Sequence, residues 1–141
     1  MTKEETFEYN KRCAKFLNVM EFETLGNNQY RIDVTTFTLD EETDPVKYFE
    51  DVYCNPDTNT RYKYDWNCIM QIIEAIEKLE FGKQKYKFQV VIQNNSCVIE
   101  QPYCFNSIRN YAETKNEAVV QSINQFLIWY NEQDIKQRSI V

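Results

Sequence analysis

From Arg61 to Trp66 the chain reads Arg-Tyr-Lys-Tyr-Asp-Trp, cations alternating with aromatic rings directly ahead of a helical pattern. Backbone N–H groups at a helix start attract anions. Arg61 and Lys63 could therefore hold a phosphate while a planar ring stacks on Tyr64 or Trp66. That is the chemistry of a nucleotide or similar small anionic ligand. The same residues also suit a loop crossing the edge of the core, with Trp66 buried and Lys63 solvated, which requires no ligand.

The chain has five cysteines, Cys13, Cys54, Cys68, Cys97 and Cys104, and no histidine. Without imidazole, Ser-His and Cys-His nucleophiles, His-ligated metals and the usual general base near neutral pH are excluded. No two cysteines form a Cys-x-x-Cys pair, whereas zinc knuckles and ribbons draw two close pairs from short loops. The thiols read as free and mostly buried, with no metal and no cofactor expected. Asp40, Glu41, Glu42 and Asp44 offer the oxygen ligands that divalent ions take, but read as a solvated acidic loop. No carboxylate pair falls in a recognised catalytic motif, so no catalytic residue is assigned.

Sixteen basic residues against 22 acidic ones give a net charge of −6. A phosphate-neutralising face needs clustered cations, and Arg61, Lys63, Lys78, Lys83, Lys85 and Lys87 are interspersed with acids, which argues against duplex nucleic acid as a partner. No apolar run approaches the roughly 18 residues of a membrane span. The segment from Met1 to Cys13 lacks a secretory apolar stretch, which points to the cytoplasm. Phe126, Leu127, Ile128, Trp129 and Tyr130 form a run of large apolar side chains that covers more than one face of a helix. Ile128 or Trp129 then points away from the core that receives Phe126 and Tyr130, and a second layer or a partner must cover it.

These residues need elements to position them. A first helix is predicted from Lys3 to Leu17, with Phe7, Cys13, Ala14 and Leu17 on one side. Alternation around Phe22 and from Tyr30 to Val34, with a turn at Gly26-Asn27-Asn28, predicts a hairpin. A short strand is expected from Tyr48 to Tyr53 in an otherwise irregular stretch. Asp65 is a candidate N-cap for a helix to about Glu80, with Trp66, Ile69, Met70, Ile73, Ile76 and Leu79 at three- and four-residue steps and Gly82 as its stop. Tyr86–Gln93 and Ser96–Gln101 predict a hairpin around Asn94-Asn95. Residues 102–113 read as a loop, and Thr114 with Glu117 as a capping box opening a long last helix. No linker or repeat divides the chain, so residues 1–141 read as a single domain.

The segment Tyr62 to Glu77 and the end from Lys115 to Asn131 together resemble two helices of the phage ABA sandwich domain family, with the Phe88–Ile99 hairpin between them. The likeness covers about Tyr62 to Glu132. It departs at Lys63, Cys68 and Gln71, where the family pattern has His, Trp and Pro. The resemblance implies an α+β fold, a layered α/β/α sandwich with a small, mainly antiparallel sheet flanked by helices, and a phage or prophage setting in the host cytoplasm. It brings no catalytic residues to this chain. The expected function is non-enzymatic: an accessory protein acting by protein–protein interaction on a host or phage protein, or self-associating through the last helix at Ile128 and Trp129. The alternative is binding or sequestering of a small anionic ligand or nucleotide at Arg61, Lys63, Tyr64 and Trp66.

Overall fold

Local caps explain where the helices begin. In the computed structural model, which describes residues 1–82, 85–102 and 107–140 and only the backbone of 134–140, α1 (Lys3–Phe16) opens on a reciprocal capping box between Thr2 and Glu5. Helix α2 (Pro45–Cys54) starts with Asp44 Oδ1 accepting from the Val46 N–H at 3.0 Å and proline in its first turn. The short α3 (Arg61–Tyr64) leads into α4 (Trp66–Lys78), where Asp65 Oδ1 accepts from the Asn67 N–H at 2.9 Å. Thr114 Oγ1 accepts from the Glu117 N–H at 3.2 Å at the start of α5 (Lys115–Ile140). Within the described residues no helix is long and apolar enough to cross a membrane.

The class is α+β, and the strands among the described residues form three small antiparallel sheets. Contacts divide the chain into two compact units, Met1–Asn59 and Thr60–Val141. In the first, β1 (Glu23–Gly26), β2 (Gln29–Ile32) and β3 (Thr35–Thr38) make a meander. Asn27 and Asn28 carry the left-handed φ values of 52° and 60° that a tight hairpin needs. Phe49 of α2 is the hub of this unit's core, with ring centroids 5.1 Å from Phe22, 5.2 Å from Phe37 and 5.4 Å from Tyr48. Tyr9, Cys13, Ala14, Ile32 and Cys54 are buried with it. The strand expected at Tyr48 to Tyr53 is thus a helix. Asp44 and Pro45 set its start, and burial of Phe49 outweighs the β preference of its aromatic and valine residues.

In the second unit, β4 (Glu80–Phe81) pairs with β5 (Tyr86–Lys87), and β6 (Gln89–Gln93), β7 (Ser96–Glu100) and β8 (Ile108–Tyr111) form the larger sheet. Helix α5 lies across β7 and β8, α4 runs along β6, and the two helices also touch each other. Ile92 pairs with Cys97 and Val90 with Ile99, so these four side chains share one face of the sheet. That face carries Asn110, whose Nδ2 donates to Ser122 Oγ of α5 at 2.9 Å, and Ser122 donates in turn to the Cys97 carbonyl at 3.0 Å. Strand β8 falls in the stretch expected to be loop. Gly82 follows β4 with φ 85°, beyond the α4 C-cap Leu79, and so does not stop that helix. Met70, expected on the core side, is exposed, and Ile72 is buried instead.

Candidate functional site

The Arg61–Trp66 segment divides its side chains. Tyr62 is buried and anchors α3, whereas Tyr64 is 63 % exposed. Lys63 Nζ lies 5.5 Å from the Tyr64 ring centroid, a cation–π contact, and its carbonyl accepts from Asn116 Nδ2 at 3.2 Å. Trp66 is half-buried and Arg61 exposed. The Asp65 carboxylate occupies the start of α4, where an incoming phosphate would meet a like charge. Burial, and then Asp65, push the Cys68 thiol up, opposed by Arg61. The structure brings Lys63 and Tyr64 together as a pair on α3, just ahead of α4, whose first turn Asp65 already caps.

The run from Phe126 to Tyr130 is also divided. Phe126 and Leu127 are buried. Trp129 is half-buried, its ring 5.1 Å from Phe81, 5.8 Å from Phe126 and 5.9 Å from Phe88. Tyr130 stacks on Phe126 at 5.9 Å. Ile128 faces outward at 38 % exposure. Gln101 Nε2 fixes the β4–β5 pair beside this cluster by donating to the carbonyls of Tyr86 at 2.8 Å and Phe81 at 3.3 Å. Cys104 lies outside the described residues, as does Lys83.

A concavity lies elsewhere, in the first unit. It measures about 270 Å³ and is walled by Met20, Phe22, Val46 and Phe49, with Lys15, Asn18, Glu21 and Glu50 completing the lining. A helix ending builds it. Asn18 sits past the end of α1 at φ 57°, the Val19 N–H reaches back to the Ala14 carbonyl at 3.0 Å, and the Asn18 N–H to that of Lys15 at 3.1 Å. This pair of bonds is the Schellman arrangement, which asparagine tolerates better than most residues. The chain then carries Met20 and Phe22 to the pocket wall, and α2 contributes Val46, Phe49 and Glu50. The Glu50 carboxylate stands 3.4 Å from Lys11 Nζ and 3.8 Å from Lys15 Nζ.

Beneath the pocket, Met20 Sδ is 3.5 Å from the buried Cys54 Sγ. Burial pushes the Cys54 thiol up to about 11, with Glu50 adding to the rise and Lys11 and Lys15 opposing it. Burial likewise pushes Cys13 up to about 12 against a hydrogen bond from Tyr9 and the charge of Arg12. Both thiols stay protonated near neutral pH, unsuited to nucleophilic work. The fully buried Asn10 holds the end of α2 in place: its Nδ2 donates to the carbonyls of Cys54 and Asn59, both at 3.1 Å. Asn59 Nδ2 donates to the Tyr53 carbonyl, and Asn10 Oδ1 is buried without a hydrogen-bond partner.

No protein-family model, curated protein or solved structure matches this chain. The pocket therefore speaks through its own side chains. Its lining comes from three segments, the end of α1, the stretch after it and α2, and no periodicity within one segment marks it. The local clue was the apolar Phe22, read as part of a strand alternation rather than as a wall.

Proposed function

We propose that this chain is a non-enzymatic accessory protein working by protein–protein interaction, and that the pocket of the first unit receives one large apolar side chain of the partner. The size and lining of the pocket carry the reading. At about 270 Å³ it lies below the roughly 300–1,000 Å³ of small-molecule sites and suits a single aromatic residue. Interfaces draw much of their energy from such anchors in desolvated pockets. The charged groups at the rim are partly satisfied by one another through Glu50, Lys11 and Lys15, so the apolar wall is what remains to be covered.

The second reading, a small anionic ligand at Arg61, Lys63, Tyr64 and Trp66, is favoured by the Lys63–Tyr64 pair and opposed by the carboxylate of Asp65 at the adjacent helix start. Self-association through Ile128 draws on one outward side chain. The phage or prophage setting, with a host or phage protein as partner, rests on the resemblance of Tyr62–Glu132.

Titrating the full chain with N-acetyl-tryptophanamide and separately with AMP, while following methyl and aromatic NMR signals, tests the reading. Burying about 150–250 Å² of an aromatic side chain yields about 4–6 kcal/mol gross. After association costs, affinity near the millimolar range is expected. The Met20 and Val46 methyl signals should shift with the indole probe, and Val46→Glu should abolish the effect. Shifts with AMP at Tyr64 and Trp66, and none with the indole probe, would replace this reading with the anionic-ligand one.

A further inference from the structure

We propose, resting on the pocket's role as an anchor site, that the open edge of β1 takes up an extended basic segment of the partner as an added antiparallel strand, and that this strand's central apolar side chain fills the pocket. The sheet order β1-β2-β3 leaves β1 at the margin, with no further strand beside it among the described residues, and all four of its residues are exposed. The Leu39 N–H donates to the Asn28 carbonyl at 2.8 Å, in the same register that pairs Tyr30 with Phe37 and Ile32 with Thr35. Antiparallel ladders alternate bonded and unbonded pairs. Tyr30 and Ile32 therefore bond to β3, while Gln29 and Arg31 bond to β1, and Glu23, opposite Arg31, turns its N–H and C=O toward β2. The N–H and C=O groups of Phe22 and Thr24 then face the open edge, where an extended peptide can bond to them.

Side chains determine what such a strand would carry. Phe22 lies on the Phe49 side of the sheet, beside Tyr30, and forms the pocket wall with Met20. A residue bonded directly opposite Phe22 places its side chain on that same face, with its β-carbon about 4.5–5.5 Å from that of Phe22. That position lies over the pocket. The residues before and after it point to the other face, opposite Glu21 and Glu23, which are both exposed. Among the described residues Glu21 has no ion pair and Glu23 has Arg31, so lysine or arginine at those two positions complements them. The segment therefore reads basic, large apolar, basic. A second copy of this chain fits less well: pairing β1 with itself about Phe22 sets Glu21 against Glu23, and pairing about Glu23 sets that residue against its own copy, and like charges directly opposite repel.

Titrating the full chain with the peptide acetyl-Val-Lys-Trp-Lys-Val-amide, followed by amide NMR signals, tests the edge. The peptide should bind about tenfold or more tighter than N-acetyl-tryptophanamide, with the Phe22 and Thr24 amides protected from exchange. Methylating the peptide's tryptophan nitrogen, which faces Phe22, should remove that gain. Methylating the nitrogen of the lysine that follows, which faces away, should keep it, and glutamate in place of both lysines should weaken binding severalfold. Thr24→Pro removes an outward N–H and leaves the bonds to β2 in place, so it should weaken the peptide and spare N-acetyl-tryptophanamide. Circular dichroism checks that variant, and if it does not fold the methylated peptides decide on the parent chain. Binding of N-acetyl-tryptophanamide at the pocket, with a peptide that binds no tighter, is indifferent to which nitrogen is methylated or binds equally well with glutamate, overturns the edge proposal and leaves the pocket reading standing. No binding of N-acetyl-tryptophanamide at the pocket overturns both. A parent chain that sediments as a dimer broken by Thr24→Pro would give the edge to a second copy and overturn the proposal.

Discussion

Replacing Asn10 with alanine should destabilise the first unit by about 2–4 kcal/mol. The side chain donates to two carbonyls, those of Cys54 and Asn59, and each buried acceptor left unpaired costs about 1–3 kcal/mol. Removing Oδ1, which is buried and unbonded, returns part of that cost. For a unit of this size the midpoint of thermal unfolding should fall by about 10–25 °C. Asn10→Asp separates hydrogen bonding from packing, because it keeps the shape and turns a carboxylate toward two carbonyls. Its pKa would be raised in the folded state by burial and the facing oxygens. A group raised on folding stabilises below its unfolded pKa and loses that contribution as pH rises through the folded value. Asn10→Asp should therefore lie closest to the parent near pH 4 and fall away toward pH 7. Urea unfolding followed by far-UV circular dichroism at both pH values measures this. If Asn10→Ala shifted stability by less than about 0.5 kcal/mol, or Asn10→Asp showed no pH dependence beyond the parent's, the clamp would not hold the end of α2.

Further outcomes follow from burial. Ile69→Ala, at a fully buried position, should cost about 2–5 kcal/mol, and Trp66→Ala, at a half-buried one, less than that; equal losses in urea unfolding would instead make the tryptophan a main packing anchor. Ile128→Lys should change stability by under about 1 kcal/mol because Ile128 faces outward, and a shift to lower mass in sedimentation relative to the parent would instead identify that face as a self-association surface. Cys13 and Cys54, with thiols pushed up to about 12 and about 11, should resist iodoacetamide at pH 8 in the folded chain, as read by mass spectrometry. By linkage these two groups stabilise the fold fully below about pH 9 and progressively less as pH rises toward 11 to 12, so alkaline unfolding should be shifted to higher pH in Cys13→Ala once its own loss of stability is subtracted.

Three helices were legible, α1 from periodicity alone and the other two because cap and periodicity agreed, with Asp65 ahead of α4 and Thr114 with Glu117 ahead of α5. Helix α2 was not, because Tyr48, Phe49, Val52 and Tyr53 favour strands and their helical arrangement shows only once Phe49 is surrounded by rings from elsewhere in the first unit. Strands β3 and β8 are four residues each, with little apolar alternation to show them. The basic and aromatic segment at Arg61 announced a site by composition, yet its geometry pairs only Lys63 with Tyr64. The pocket was the reverse: each contribution is unremarkable in sequence, and only the turn at Asn18 and the packing of α2 against α1 bring Met20, Val46 and Phe49 together. The contact of Met20 with Cys54 spans 34 positions, beyond any local pattern.

Intermolecular nuclear Overhauser effects between N-acetyl-tryptophanamide and the full chain test the central claim most directly. The account predicts cross-peaks from the indole ring protons to the Met20 and Val46 methyl groups and the Phe22 ring, all of which line the pocket. Cross-peaks confined to Tyr64 and Trp66, or none at probe concentrations well above the millimolar range, would contradict it.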